Sequence, residues 1–299
     1  MTPHIENEIA ALINLLDDPD EKIYSQIKDR LVSYGEDVVP KLEDVWEKNS
    51  FGVIFQNRIE DIIHQIQFDA TVIELKTWKN SDERDLLSGA LIVNKYQYPD
   101  LDEDKIRAQI SQLKQDVWIE LNNNLTSFEQ VKVINQILFE IHGFSGNTVN
   151  YHAPQNSYLN NVLESKKGNP LSLSLIYMVI AQQLDLPIHG VNLPNHFVLA
   201  YIDENDILQF TKEFTGEPVE EGDNILFYIN PFSRGTIFNR KEIESFLKQL
   251  KLSPKDSFFQ PCTHLDIIRR VITNLIYSYE KLGYPDKIDE LKILLKTLD

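Results

Sequence analysis

Between residues 170 and 202 the spacing of the apolar residues changes period, and that change limits the folds open to this chain. Residues 170–184 read Pro-Leu-Ser-Leu-Ser-Leu-Ile-Tyr-Met-Val-Ile-Ala-Gln-Gln-Leu, apolar almost all round, which predicts a buried helix. The stretches Ile188 to Val191, His196 to Ile202 and Ile207 to Phe210 then alternate and are rich in Val, Phe and Tyr, as strands are. An acidic loop from Glu213 to Asn224 separates them from a further strand, Ile225 to Ile229. One buried helix followed by neighbouring strands requires an α+β core.

Helical patterns flank that core. Ile9, Leu12, Ile13 and Leu16 keep a 3.6-residue beat, Asp17-Asp18-Pro19-Asp20 breaks it, and Ile23, Ile27 and Leu31 restart it. Gly35 reads as a helix stop, and Val38, Val39, Leu42 and Trp46 form the next apolar face. This rhythm is similar to a HEAT-type repeat, and a plain helical bundle fits it as well. Residues 102–141 predict two more helices, ended by Gly143, and Gly143 to Pro154 reads as a loop. Near the end, Leu265, Ile268, Val271, Ile272, Leu275 and Tyr279 mark one helix and Ile288, Leu291, Leu294 and Leu295 another. Gly283-Tyr284-Pro285 joins them into a pair that resembles a tetratricopeptide unit. The expected division is a helical region 1–100, a core 101–253 and a helix pair 254–299.

Charge and cysteine usage narrow the function. With 46 acidic and 29 basic side chains the chain carries −17, which opposes binding to nucleic-acid phosphates and anionic membranes. A single cysteine, Cys262, allows no internal disulfide, and the first residues lack the basic stretch of a signal peptide, so the expected compartment is the cytoplasm. The longest apolar run, near residues 171–181, is far short of the roughly 20 residues that span a bilayer. There is no glycine-rich phosphate loop and no dinucleotide fingerprint, so no cofactor is expected. His142, His152 and His189 lack ligand spacing, so no metal is expected either.

The order Gly168-Asn169-Pro170, an apolar helix, Asp185-Leu186-Pro187 and then Pro194-Asn195-His196-Phe197 resembles the core of the transglutaminase-like superfamily. Pro170 falls on the position of the family's catalytic cysteine, Asp185 on a glycine, His196 on the histidine and Asn230 on the third member of the triad. The Gly-x-Pro-x-Ser-Leu-Ser step, the Pro-x-His-Phe step and Asn156-Ser157-Tyr158-Leu159 resemble the bacterial invasion-regulator (SirB) branch more closely. The resemblance implies a papain-like core with an antiparallel sheet packed on a central helix. It is specific from about Phe144 to Gly235.

That register removes the nucleophile. A thiol at a helix N-terminus is activated by unpaired N–H groups and the dipole, whereas proline has neither a nucleophilic atom nor an N–H. Asn169-Pro170 is also an ordinary helix start, with Asn as N-cap and Pro at the first position. Ser172 lies roughly 200° round the helix from Pro170, and Ser174 returns to the same face about 6 Å deeper. Both are expected to bond to backbone carbonyls one turn back. His196 is expected to face the helix start, with the Asn230 amide fixing its tautomer as in cysteine-histidine-asparagine sites. Cys262 reads as a small buried apolar residue. The expected function is a non-catalytic cleft for a protein or peptide, lined by Asn156, Asn169, Ser172, Ser174, Asn195, His196 and Asn230. The alternative is an amide hydrolase or acyltransferase that uses His196 with Ser174, Cys262 or water. The sequence leaves the oligomeric state open.

Overall fold

The structure, a computed structural model, describes residues 2–48, 52–203 and 224–299. The strand expected at Ile207 to Phe210 and the acidic loop from Glu213 lie outside the described residues.

Three helices, α1 (Pro3–Asn14), α2 (Glu21–Val32) and α3 (Val39–Lys48), pack on the first half of α4 (Val53–Asn80). Their core contains Ile9, Leu16, Leu31, Val38, Leu42 and Ile59. The acidic break before α2 is fastened by Arg58, which is buried and donates to the carbonyls of Leu16 and Asp18 at 2.7 and 2.6 Å and to Glu21 at 2.8 Å. Gly35 takes φ +64°, the left-handed conformation that suits a helix stop. Helix α4 has 28 residues and is about 42 Å long at 1.5 Å per residue. Its first half belongs to this N-terminal core, and its second half, through Phe68, Leu75 and Trp78, belongs to the main core.

The main core gathers α5 (Leu86–Lys95), α6 (Glu103–Glu120), α7 (Ser127–Asn135), α8 (Leu159–Ser165) and α9 (Pro170–Gln182). Helix α7 runs on into a π-helical turn, Gln136–Ile141, before Gly143. The all-round apolar pattern of α9 has its expected result: every residue from Pro170 to Ala181 is buried. Each fully buried Leu or Ile there contributes about 1.5–3 kcal/mol of hydrophobic stabilisation. The loop expected from Gly143 to Pro154 contains a two-residue strand, β1 (Ser145–Gly146), parallel to β2 (Lys167–Gly168). That pairing anchors the chain immediately before α9.

Four antiparallel strands follow in the order β3 (Ile188–Leu193), β4 (His196–Ile202), β5 (Ile225–Asn230) and β6 (Thr236–Phe238). Alternation decides their two faces. Phe197, Leu199 and Tyr201 of β4 enter the main core on the α9 side. Val198 and Ala200 face the other way, into a smaller core with Ile243 and Leu247 of α10 (Arg240–Gln249). The fold is thus α+β, with the sheet packed on a central helix and helices at both ends of the chain. The last two helices, α11 (His264–Leu282) and α12 (Pro285–Thr297), form a hairpin around Gly283 at φ +75°. Ile268, Ile272 and Leu275 of α11 and Leu291 and Leu294 of α12 complete the main core. Among the described residues no helix is long and apolar enough to cross a membrane.

Candidate functional site

The start of α9 is built by a reciprocal capping box. The Asn169 Oδ1 accepts from the Ser172 N–H at 2.9 Å, and the Ser172 Oγ accepts from the Asn169 N–H at 3.0 Å. With Pro170 lacking an N–H and the Ser172 N–H capped, this helix start leaves the Leu171 N–H as its free donor. Gly168 makes room for the box, since a Cβ there would lie 2.5 Å from the Ser172 Oγ. The Asn169 Nδ2 donates to Ser157 Oγ at 2.9 Å. Next to it, buried Asn156 donates to the carbonyls of Asn150 and Tyr151 at 2.7 and 3.1 Å and accepts from Asn147 Nδ2 at 2.9 Å. Asn156 and Asn169 therefore tie the loop that carries Tyr151 and His152 to the helix start.

His196 begins β4, directly after a two-residue turn in which Asn195 takes φ +59°. Pro followed by a left-handed Asn suits a type II turn. Asn230, at the end of β5, is near enough to the His196 ring to act on its pKa. The Asn230 Oδ1 accepts from the Ser233 N–H at 3.3 Å and its Nδ2 donates to the Ser233 Oγ at 3.2 Å, so Ser233 holds both ends of the amide. Burial lowers the His196 pKa, Asn230 opposes that shift, and the Arg270 charge adds to it, so the net effect favours the neutral ring at pH 7. Among the described residues no hydroxyl or thiol is hydrogen-bonded to this ring.

Pro170 and His196 line one cavity of about 510 Å³. Asn169, Leu171, Asn195 and Phe197 lie on the same side. The opposite wall is a stripe of α11: Arg270, Thr273, Asn274, Tyr277 and Ser278. Tyr151 and His152 complete it, with His152 edge-on between two rings, 5.1 Å from Tyr151 and 5.3 Å from Tyr277. The hydroxyls of Thr273 and Ser278 are occupied, donating to carbonyls one turn back at 2.8 and 2.9 Å. The side-chain amides of Asn195 and Asn274 have no hydrogen-bond partner among the described residues. Arg270 donates from Nη1 to Asn192 Oδ1 at 3.0 Å.

The remaining sequence candidates lie elsewhere. Ser172 is consumed by the cap. Ser174 is fully buried and does not line the cavity. Its expected bond to the carbonyl one turn back is absent, and its Oγ has no partner among the described residues; nothing in the structure explains that. Cys262 donates its N–H to the Gly190 carbonyl at 2.8 Å, and burial pushes its thiol up to about 12, so it stays protonated at pH 7. His142 pairs with Asp116 at 2.7 Å, and His189 lies opposite Ala200 in the sheet. Among the described residues no three His, Cys, Asp or Glu side chains are grouped as metal ligands. The cavity residues that sequence reasoning missed are those of α11 and Tyr151. Their signal was present as polar residues at i, i+4 and i+7 (Arg270, Asn274, Tyr277) beside the apolar stripe of the same helix.

A family model for the transglutaminase-like superfamily matches residues 104–273, which includes all of the cavity but the last residues of its α11 wall. The chain is 28% identical over 202 residues to a UPF0162 protein of Xylella fastidiosa strain 9a5c, covering 68% of this chain and 67% of that protein. To the UPF0162 protein of strain Temecula1 it is 28% identical over 200 residues, 65% of this chain and 64% of that one. Human F-box only protein 21 is 29% identical over 163 residues, 54% of this chain but 23% of its own length. No solved structure matches the chain.

Proposed function

Since the chain belongs to the transglutaminase-like superfamily, we propose that its cavity is a former catalytic cleft that now binds a protein or peptide segment without chemical turnover. The observation that carries this reading is Pro170 at the cavity end of α9, where the family places its cysteine. The unpartnered amides of Asn195 and Asn274 support it, because amides recognise peptide groups through both a donor and an acceptor. Protonated Cys262 weighs against the hydrolase alternative, as does the burial of Ser174 outside the cavity. Within the superfamily we assign the chain to the SirB branch on Gly168-x-Pro170-x-Ser172 and His196-Phe197. We read its terminal helices as HEAT-like and TPR-like, the helical region ending near residue 100 and the helix pair starting near 254. A reducing cytoplasm suits the lone cysteine.

The test is a pool of N-acetylated tetrapeptides incubated with the protein, with retained and chemically altered peptides identified by mass spectrometry after gel filtration. Peptides are expected to co-elute unaltered. Amide cleavage or transfer that disappears in His196→Ala would establish the enzyme reading instead.

A further inference from the structure

Acidic side chains outnumber basic ones 46 to 29 in this chain, yet among the described residues the cavity wall contains no Asp or Glu and one formally charged group, Arg270. Arg270 is more than half buried there, and a buried guanidinium ordinarily has a carboxylate partner. Among the described residues its only side-chain hydrogen bond runs from Nη1 to the neutral amide of Asn192. Among the described residues no carboxylate pairs with it; its neighbours on the i−1 and i−4 positions, Arg269 and Asp266, pair with each other at 3.9 Å. Asn192 thus fixes one arm of the guanidinium and leaves Nε and Nη2, the edge that matches two carboxylate oxygens.

We propose that Arg270 is the anchor for a ligand carboxylate, which in the bound peptide is its free C-terminus. The inference rests on reading the cavity as a binding cleft. The charge count selects the anion: with the His196 ring neutral, one positive group balances a monoanion, whereas a phosphate ester would leave charge uncompensated in a half-buried site. The neighbours fit the rest of such a ligand. The amides of Asn195 and Asn274 meet peptide groups, and the Tyr151, His152 and Tyr277 rings give an aromatic wall for a side chain next to the carboxylate. A cavity of about 510 Å³ lies within the roughly 300–1,000 Å³ of sites that enclose small ligands, so it takes a chain end more readily than a continuous strand.

The experiment uses the full chain and two tetrapeptide pools of the same composition, one ending in a free carboxylate and the other in a carboxamide, with N-acetylglycine as a small-acid probe. Retention is measured by native mass spectrometry, and the Arg270 Nε–H is followed by NMR. The acid pool is expected to bind at least tenfold better than the amide pool. Arg270→Gln should abolish that preference, and Arg270→Lys, which keeps the charge without the fork, should retain only part of it. Equal binding of the two pools to the native chain overturns the inference but leaves the peptide cleft standing, and it does so without any variant that has to fold. An acid preference that survives in Arg270→Gln overturns it too, as does the absence of any response to both pools and to N-acetylglycine. If N-acetylglycine alone shifts the Arg270 signal, the carboxylate anchor stands and the peptide reading falls, leaving a free carboxylic acid as the ligand.

Discussion

Pro170 is a fitting helix starter that brings no nucleophilic atom to the cavity end of α9. Replacing it with Cys on a Cys262→Ser background puts a thiol and an N–H at the N-terminus of α9, in a cavity that also contains His196 and Arg270. The helix dipole and the Arg270 charge both favour the thiolate, so the engineered thiol is expected to titrate clearly below the free value of about 8.5. Alkylation rate against pH, with and without His196→Ala, measures this. A thiol that titrates at the free value and ignores His196 would contradict the former-active-site reading. The helix start was legible in the sequence because capping is local: Asn169, Pro170 and Ser172 lie within four residues. Arg270 was not, because it stands a hundred residues away from Pro170 on a helix whose pattern is dominated by its apolar stripe, and only the tertiary fold brings it to the cavity.

At the scale of elements, the end of α9 is as informative as its start. Asp185 stands at φ +56°, with its N–H on the Gln182 carbonyl and the Leu186 N–H on the Ala181 carbonyl, the bonding of a Schellman turn. The family's glycine at this position thus has a conformational reason. A left-handed non-glycine residue costs roughly 1–2 kcal/mol, and glycine gives back part of that gain through its freer unfolded chain. Asp185→Gly is therefore expected to stabilise the protein by about 0.5–1 kcal/mol, read from urea unfolding; a loss of stability would mean that the Asp185 side chain makes a contact worth more than the strain. Strand β4 was legible to the residue, since His196–Ile202 alternates cleanly between two cores. Strand β6 was not, because Thr236–Phe238 is too short to show a period, and β1 is held by its pairing with β2 rather than by any pattern of its own.

Across the whole molecule, α4 meets the chain's last helix at His64, whose ring pairs with Glu290 of α12; Tyr96 of α5 donates to the same carboxylate at 2.8 Å. The Glu290 hydrogen bond raises the His64 pKa, against a smaller effect of burial. A raised folded pKa means that this contact stabilises fully below the unfolded value of about 6.5 and is lost as pH rises through the folded one. His196 has the opposite sign: its lowered pKa gives stability that is present above about 6.5 and lost as pH falls. The native chain is thus expected to exceed His64→Gln in stability at pH 5.5, with the difference shrinking toward pH 8.5. Urea midpoints at the two pH values check this, and a difference that grows with pH would refute the pairing. The helical character of the first hundred residues was legible, but the length of α4 was not, because its apolar face changes partners between Ile66 and Phe68 without a break. No proline or glycine interrupts Val53–Asn80, so the helix has no joint. The N-terminal helices are therefore carried on one uninterrupted shaft whose far half is seated in the same core that supports the cleft, so the two cores share a single rigid lever.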